Sequence, residues 1–293
     1  MKNIPGYHTF VNIEPITKGW SEDKKYHIET IDGTHMLLRI SPLSRYDNRK
    51  TLFERLKQIS TFHIPMCEPI EFGTCSDFVY TFYDFIEGED LEAILPTLSQ
   101  SQQYSLGEKA GKILQKIHTI PAPPTQEDWE IRFNRKMDNK IRMYHECSLE
   151  FDGAEHLITY IHENRHLLKN RPQCFQHGDY HVGNMMIENG KLVIIDFDRF
   201  DFGDPFEEFN RIVWCAQTSP HFATGMVDGY FLKQPPTEFW RLLALYISSN
   251  TLSAIPWAIP FGQGEIDIML RQGKEVLSWY NNMKTLIPSW YKH

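Results

Sequence analysis

The first part of the chain reads as short β-strands around one helix. His35–Ile40 is apolar with a charged residue near its end, and Asp77–Ile86 is rich in aromatic residues, as β-strands often are. Between them, Arg49–Ser60 repeats apolar residues with a helical period. The apolar positions of this predicted helix are Leu52, Leu56 and Ile59. These patterns predict a small β-rich region that ends near Gly88.

After Gly88 the pattern is mainly helical. Apolar residues fall on one helical face as far as His118, and the turn-rich stretch 120–126 follows. The residues of that face are Leu106, Ala110, Ile113, Leu114 and Ile117. Further helices are predicted at Glu155–Lys169, Glu238–Ile255 and Glu265–Met283. The change in texture predicts an α+β protein with an N-terminal lobe at 1–87 and a mainly helical C-terminal lobe at 88–293.

One β-hairpin is predicted inside the helical part. Met185–Ile187 and Leu192–Asp196 flank Asn189-Gly190, a pair that suits a two-residue turn because both central residues need positive φ. This turn pairs residue 188 with 191 and, further along, 184 with 195. Asn184 and Asp196 therefore come to the same end of the hairpin. Strict alternation would point them to opposite faces, so they converge only if the ladder ends or bulges there.

The residues around the hairpin carry candidate chemistry. The chain reads His177-Gly178-Asp179 before it and Ile195-Asp196-Phe197-Asp198 at its end. The carboxylate of Asp196 and the amide oxygen of Asn184 are hard ligands that suit Mg²⁺. A further carboxylate at Asp179 is suited to accept a hydroxyl proton and to aim that oxygen at phosphorus.

Composition restricts the partners. The chain has 293 residues, with 30 Lys and Arg against 38 Asp and Glu, a formal charge of −8. This balance argues against binding to nucleic acid or to an anionic membrane. The five cysteines form no C-x-x-C pair, as expected of free thiols in a reducing compartment. Without an apolar signal core or an uncharged apolar run of about 20 residues, we expect a cytoplasmic protein.

The H-G-D-x-x-x-x-N sequence, followed by a hairpin and I-D-F-D, resembles the catalytic and metal loops of the aminoglycoside phosphotransferase family. These are small-molecule kinases with a protein-kinase-like fold, and they include choline and homoserine kinases. Weaker features follow in the family's order over roughly residues 10 to 215. They are Ile16–Ser21 for the phosphate loop, Leu37–Ile40 for the phosphate-contacting strand, Asp84–Gly88 for the hinge, Leu114–His118 for a helix end and Gly203–Pro205 after the metal loop.

The resemblance implies a two-lobed protein-kinase-like fold with nucleotide in the cleft between the lobes. It also implies transfer of the γ-phosphoryl group of ATP or GTP to a hydroxyl of a small molecule. An aminoglycoside antibiotic is the first expectation for this acceptor, which would make the protein a resistance enzyme. A macrolide, choline, homoserine or another metabolite stays open, as does a nucleotide-binding protein without turnover.

The resemblance also implies roles for single residues. Asp179 is the expected catalytic carboxylate, and Asn184 and Asp196 are the expected ligands of Mg²⁺. Ser21 and Arg39 would contact the nucleotide phosphates. The backbone of Asp84 and Ile86 would bind the adenine edge. His177 would be structural and Asp198 an outer carboxylate of the metal loop.

The sequence departs from the family pattern in several features, among them a phosphate loop with a single glycine. Arg39 stands where the family usually has Lys, and the planar guanidinium is not interchangeable with an ammonium group. No helix Glu is clearly its partner, since Glu54 lies opposite the apolar stripe of its helix. Glu208 stands where the family usually has Asp in the helix after Gly-Asp-Pro.

A competing motif predicts a different chemistry. His162-Glu163-Asn164-Arg165-His166 is an H-E-x-x-H sequence, which on a helix can bind zinc in a hydrolase. The polar residues between the histidines and the lack of an evident third ligand favour an exposed helix. Aromatic and acidic residues of the C-terminal third form another group that could line an acceptor pocket. They are Trp214, Trp240, Trp257, Trp279 and Trp290, with Glu207, Glu208, Asp228, Glu265 and Asp267.

Overall fold

The computed structural model describes residues 2–17 and 23–292. The chain divides into two compact units. The first, the sheet unit, holds the residues up to Asp90 together with Met185–Asp198. The second, the helical unit, holds Leu91–Asn184 together with the chain from Arg199 onward. The predicted hairpin therefore belongs to the sheet unit, whereas the sequence division at 87–88 placed it in the helical lobe.

The strands of the described residues are short. In chain order they are β1 (Phe10–Ile16), β2 (Lys24–Thr30), β3 (His35–Pro42), β4 (Pro69–Cys75), β5 (Phe78–Asp84), β6 (Glu89–Asp90), β7 (Cys174–Gln176), β8 (Met185–Glu188), β9 (Lys191–Ile194) and β10 (Asp201–Gly203).

The sheet unit is built on an antiparallel sheet in the order β1-β2-β3-β5-β4. Its core is formed by Ile4, Ile28, Leu38, Cys75, Tyr80 and Phe82. The strands predicted from the apolar segments around Leu38 and Tyr80 are confirmed as β3 and β5. A second sheet in the order β6-β8-β9 joins the hairpin to this unit. A bridge between Met66 and Ile194 adds to that attachment.

Helices make up most of the helical unit. In chain order the helices of the described chain are α1 (Tyr46–Ser60), α2 (Leu91–Ile94), α3 (Gln100–Ile117), α4 (Trp129–Glu146), α5 (Ala154–Asn164), α6 (Ile212–Thr218), α7 (Pro220–Phe231), α8 (Thr237–Ala258) and α9 (Gln263–Trp279). Of these, α1 belongs to the sheet unit and the others to the helical unit.

Several predicted helices are confirmed, with changed ends. In α1 the residues Leu52, Leu56 and Ile59 are buried, as their spacing predicts. The predicted helix at 155–169 ends as an α-helix at Asn164 and continues as a 3-10 turn to Leu168. The predicted helix at 265–283 ends at Trp279, because the chain turns through left-handed residues at 281–283.

Helices α3 and α7 pack with their backbones almost in contact. A Cβ on Gly107 would lie 2.1 Å from the carbonyl oxygen of Phe222, and one on Gly111 would lie 2.1 Å from that of Met226. From the other helix, a Cβ on Gly225 would lie 2.2 Å from the carbonyl oxygen of Tyr104. Only glycine permits so close an approach, so this helix pair is fixed by residues that an apolar-periodicity search does not detect.

The long, apolar helix α8 lies at the centre of the helical unit. Thr237–Phe261 contains an 18-residue window with a mean hydropathy of 1.3 and, alone among the described helices, is long and apolar enough to cross a membrane. However, 67% of its apolar window is buried inside the protein. It packs against α4, α5 and α9, as expected of a core helix.

Candidate active site

The hairpin has the predicted turn and register. Asn189 and Gly190 adopt φ values of 50° and 74°, and the ladder runs from Glu188–Lys191 to Met185–Ile194. The ladder ends there, and Asp196 adopts a left-handed φ of 64°. Strict strand alternation therefore stops before Asp196, which is the condition that the sequence argument required. Asn184 belongs to the helical unit and Asp196 to the sheet unit.

The loop after β7 requires glycine at its second position. Gly178 has a φ of 83°, and a Cβ there would lie 1.8 Å from the carbonyl oxygen of Arg199. Its N–H donates to the buried carboxylate of Glu208 at 3.0 Å. The residue that replaces the family's usual Asp therefore anchors the backbone beside Asp179.

Two further hydrogen bonds hold Asp179 in place. The Nδ1 of His177 accepts from the backbone N–H of Asp179 at 3.2 Å. The fully buried Tyr180 donates its hydroxyl to the carbonyl oxygen of Ala110 on α3, at 2.8 Å. The loop is thus tied on both sides of its carboxylate to a buried scaffold, as preorganised catalytic groups are. The structural role expected of His177 agrees with this geometry.

Basic side chains surround the carboxylate of Asp179. Arg211 Nε lies 3.2 Å from Oδ1, His181 Nε2 lies 3.7 Å from Oδ1, and Arg199 Nε lies 3.9 Å from Oδ2. Burial alone would raise the pKa of Asp179, but the neighbouring imidazole of His181 and the charges of Arg211 and Arg199 outweigh it and hold the pKa well below its usual range. Asp179 is therefore ionised at any physiological pH.

Asn184 ends the same loop with its amide nitrogen turned toward Asp179. Nδ2 donates to the backbone oxygen of Asp179 at 2.9 Å and lies 3.4 Å from its Oδ2. The backbone N–H of Asn184 donates to the carbonyl oxygen of His181 at 2.9 Å. Since the amide nitrogen is engaged by the loop, the amide oxygen is the atom that Asn184 can offer to a cation. That donor suits a hard ion such as Mg²⁺.

In the sheet unit, Asp196 lies beside a lysine. Lys25 Nζ on β2 is 4.0 Å from Asp196 Oδ2, and the Asp196 side chain is half-exposed. An accessible carboxylate is a suitable donor for a hard cation, so this residue also fits the predicted metal role. In the described residues, no group of three or more His, Cys, Asp or Glu side chains could hold a metal ion. The predicted pair of one carboxylate and one amide is not such a group.

The buried guanidinium of Arg39 is held by two carboxylates. Its Nε donates to Asp23 at 2.6 Å and its Nη1 to Asp198 at 2.6 Å. Arg49 from α1 contacts the same two acids, with Nη1 at 3.1 Å from Asp198. The partner of Arg39 is therefore a pair of aspartates shared with a second arginine, and Glu54 is exposed and pairs with Lys50.

Charges and burial inside this group of four residues oppose each other. Burial alone would lower the pKa of Arg39, but the charges of Asp198 and Asp23 outweigh it and raise that pKa. Burial alone would raise the pKa of Asp23, and Arg39 and Arg49 together lower it. Arg39 and Asp23 therefore stay charged, and Asp198 is a structural partner of Arg39.

The predicted hinge residues lie at the end of β5. Asp84 is the last residue of that strand, and Ile86 lies in the irregular segment that follows. The backbone N–H of Asp84 donates to the carbonyl oxygen of Glu68 at 2.9 Å, and the carbonyl oxygen of Asp84 accepts from the Cys67 thiol at 3.0 Å. Ser21, predicted for the phosphate loop, lies outside the described residues.

A second basic group lies near Arg211 in the helical unit. Lys136 Nζ on α4 is 3.4 Å from Oε1 of the buried Glu207, whose Oε2 accepts from Gln176 at 3.1 Å. Lys140, one turn further along α4, is near enough to Arg211 and Glu207 for their charges to act on it. Burial and the repulsion of Lys136 and Arg211 lower the pKa of Lys140 to about 7.

The zinc alternative finds no geometric support. The helix ends at Asn164, so His166 lies in the following 3-10 turn, where its Nδ1 is 3.0 Å from the carbonyl oxygen of Glu163. Both His162 and His166 are exposed. The motif is therefore an exposed helix end, as the sequence argument favoured.

Sequence reasoning missed the basic residues Arg211, Lys140, Lys25 and Arg49 and the acid Asp23. Each is an ordinary charged residue in a periodic or turn segment, and its neighbours in the chain carry no signal of its role. A correct prediction of the register between β2 and β3 would have identified Lys25, because this register places Lys25 opposite Arg39.

Comparison with known proteins agrees with this geometry. Residues 12–243 match the family model described as the phosphotransferase enzyme family (APH). No curated protein is significantly similar to the chain in sequence.

Solved structures share the fold at low sequence identity. A thermostable mutant of aminoglycoside phosphotransferase APH(4)-Ia in its apo form is 14% identical, with a TM-score of 0.67 over 93% of this chain and 96% of the other. ADP-bound aminoglycoside phosphotransferase APH(2'')-Ib is 16% identical, with a TM-score of 0.62 over 91% and 94%. A choline/ethanolamine kinase family protein from Mesorhizobium loti is 13% identical, with a TM-score of 0.68 over 94% and 91%.

The family match spans most of the chain and includes the H-G-D loop, the hairpin and Asp196. The sheet unit and the helical unit agree with the α+β, protein-kinase-like architecture that the motifs implied. The chain therefore belongs to the phosphotransferase enzyme family and has the kinase-like fold of the aminoglycoside phosphotransferases.

Proposed function

We propose that the protein transfers the γ-phosphoryl group of ATP or GTP to a hydroxyl group of a small molecule. The observation that carries the proposal is the carboxylate of Asp179, kept ionised and fixed in a loop whose backbone is tied to Glu208 and, through Tyr180, to α3. In the reaction the bond between the γ-phosphorus and the β-γ bridging oxygen breaks and a new O–P bond forms at the acceptor. The hydroxyl proton is released, and the nucleoside diphosphate leaves.

Asp179 acts mainly by orientation. A carboxylate with so low a pKa is a weak base, but it accepts a hydrogen bond from a hydroxyl and aims the oxygen at the phosphorus. This suffices for phosphoryl transfer, because its loose transition state needs little proton abstraction at the start. Arg39 is the proposed contact to the phosphates, with the Ser21 segment covering them and the backbone of Asp84 and Ile86 at the adenine.

Asn184 and Asp196 are the proposed ligands of Mg²⁺. Their donor atoms, one amide oxygen and one carboxylate, are of the kind that this ion prefers. The ion would neutralise charge on the nucleotide phosphates.

The acceptor is proposed at the level of a small alcohol. Aminoglycosides are candidates because family relatives were solved with such compounds, among them APH(4)-Ia with hygromycin B and APH(2'')-IIa with gentamicin. A choline/ethanolamine kinase family protein and the amicoumacin kinase hAmiN show that other acceptors occur on this fold. We also propose a cytoplasmic location, where the free thiols stay reduced.

The test replaces Asp179 by alanine. We expect Asp179→Ala to lose phosphotransfer with both ATP and GTP over a panel of alcohols, while the rise in melting temperature caused by nucleotide and Mg²⁺ is kept. Asp77→Ala, at an exposed carboxylate in the turn between β4 and β5, is the matched control and should keep full turnover. Unchanged turnover in Asp179→Ala would remove this residue from the mechanism.

A further inference from the structure

Several basic side chains lie around Asp179. Arg199 and Arg211 pair with its carboxylate, and Lys136 and Lys140 lie around Glu207 close to Arg211. Arg199, Arg211, Lys136 and the partly protonated Lys140 thus lie near the carboxylates of Asp179, Glu207 and Glu208. The whole chain, by contrast, carries a formal charge of −8.

Arg211 has hydrogen-bonding capacity to spare. Its side chain is only 23% exposed, and its Nε makes no aligned hydrogen bond although Asp179 is 3.2 Å away. In the parts of the chain that the structure describes, its two terminal nitrogens have no hydrogen-bond partner. A largely buried guanidinium fork with unused N–H donors is suited to receive an oxyanion through two parallel bonds.

Lys140 is also poised to receive an anion. It is half-buried, and its ammonium group has no carboxylate at ion-pair distance among residues 2–17 and 23–292. Its pKa is lowered to about 7 because burial and the neighbouring cations disfavour the protonated amine. An anion bound between Lys140 and Arg211 would reverse that effect, because an opposite charge favours the protonated amine.

Three of the five acidic candidates for the acceptor pocket are engaged in internal contacts. Asp228 accepts from the hydroxyls of Tyr104 and Tyr291 at 2.7 and 2.6 Å. Glu208 holds the loop backbone, and Glu207 is shared by Lys136 and Gln176. These three residues are among the acids that the sequence suggests for an acceptor pocket, and their carboxylates serve internal contacts instead.

We propose that the acceptor is an anionic alcohol, whose carboxylate or phosphate group binds at Arg211 and Lys140 while its hydroxyl meets Asp179. The short distance between Arg211 and Asp179 places the acid group only a few bonds from the reacting hydroxyl. Hydroxy acids and sugar phosphates have this chemistry. The inference rests on the proposed function, because Asp179 binds the acceptor hydroxyl only if the protein is a phosphotransferase. The oxyanion site itself can be tested without turnover.

Calorimetric titration of the full-length protein with small oxyanions tests the site. Malonate and inorganic phosphate are the two probes, used at constant ionic strength with saturating ADP and Mg²⁺ so that the nucleotide phosphate site is filled. Binding of malonate alone indicates a carboxylate acceptor, and binding of phosphate alone indicates a phosphate ester. We expect at least one probe to bind, and Arg211→Gln and Lys140→Gln each to weaken it at least tenfold.

The matched control is Arg135→Gln. Arg135 lies on the exposed side of α4 and pairs with Glu127, so its loss should leave the oxyanion affinity unchanged. Two variants keep the test usable if one does not fold, which thermal melting reports. If neither probe binds, or if both variants bind the probes like the wild type, the inference is overturned.

Turnover with matched acceptors separates this inference from the proposed function. Glycerate and glycerol 3-phosphate are compared with glycerol, and gluconate with glucose, with gentamicin as the polycation. We expect the acids to be better acceptors, and Arg211→Glu to reduce the preference for acid over neutral acceptor at least tenfold. Faster turnover of gentamicin or of the neutral alcohols would refute the acid preference and keep the kinase function. If the protein neither binds nor consumes nucleotide, the proposed function is refuted. The oxyanion site is then tested by the calorimetric titration alone.

Discussion

The contact between α3 and α7 gives a prediction that can be worked out from distances. In Gly111→Ala the new Cβ would lie 2.1 Å from the carbonyl oxygen of Met226 and 2.6 Å from the N–H nitrogen of Tyr230. Both atoms belong to the backbone of α7, so no side-chain rotation removes the clash. The two helices must separate by about 1 Å before the methyl group is accommodated at ordinary contact distance.

The cost follows from the loss of close packing. Overpacking a well-filled interior costs about 1–3 kcal/mol. A gap of about 1 Å also forfeits up to half of the dispersion energy of the atoms along the interface. Alanine stabilises a helix interior by about 0.5–1 kcal/mol relative to glycine, which offsets part of this cost. We therefore expect a net loss of about 2–4 kcal/mol in the free energy of unfolding.

Equilibrium urea unfolding followed by circular dichroism measures this loss. The control is Gly264→Ala, in the first turn of α9, because a Cβ there meets no heavy atom within 4 Å. It should be neutral or stabilise the protein by up to about 1 kcal/mol. If Gly111→Ala were as stable as Gly264→Ala, the close approach of the two helix backbones would be refuted.

Three further changes test the surroundings of the site. Asp198→Asn removes a carboxylate shared by Arg39 and Arg49 and should lower the free energy of unfolding by about 2–4 kcal/mol in urea titrations. Lys140 has a native pKa of about 7, below its unfolded value, so it makes stability rise with pH from 7 to 10. Lys140→Met should abolish this rise, by about 1–2 kcal/mol between pH 7 and 9 after allowance for solvent screening; equal pH slopes in variant and wild type would contradict it. Tyr180→Phe removes the hydroxyl bond to α3 and should lower kcat while leaving the KM for nucleotide unchanged, and a change in that KM alone would contradict a positioning role.

Local chemistry explains what the sequence predicts correctly. The Asn189-Gly190 turn needs positive φ at both residues, and this requirement alone sets the register of the hairpin. The apolar period of α1 likewise identifies its buried face. Position 178 requires glycine because a Cβ would clash with the carbonyl oxygen of Arg199. The H-G-D sequence therefore reflects a steric requirement as well as chemistry. In each case the determining interaction lies within a few residues or in one tight contact.

Register between strands is harder, because one residue in a loop changes it. Asp32-Gly33 suggests a two-residue turn between β2 and β3, which would put Tyr26 opposite Arg39. The structure has a three-residue loop instead, since Thr30 pairs with Thr34, and Lys25 comes opposite Arg39. The position of a cation beside Asp196 therefore depends on a loop whose length the turn residues do not determine.

The charge around Asp179 could not be read from the sequence for a different reason. Arg211 comes from a 3-10 turn, Lys136 and Lys140 come from α4, and no local pattern indicates that these segments meet. The negative net charge of the chain is compatible with a cationic acceptor, yet surface charges are screened over about 8–10 Å in salt. A ligand at Asp179 responds mainly to the few charges within that distance, and these are mostly basic. The net charge of the chain is therefore weak evidence about the acceptor, and Arg211 beside the carboxylate of Asp179 is stronger evidence.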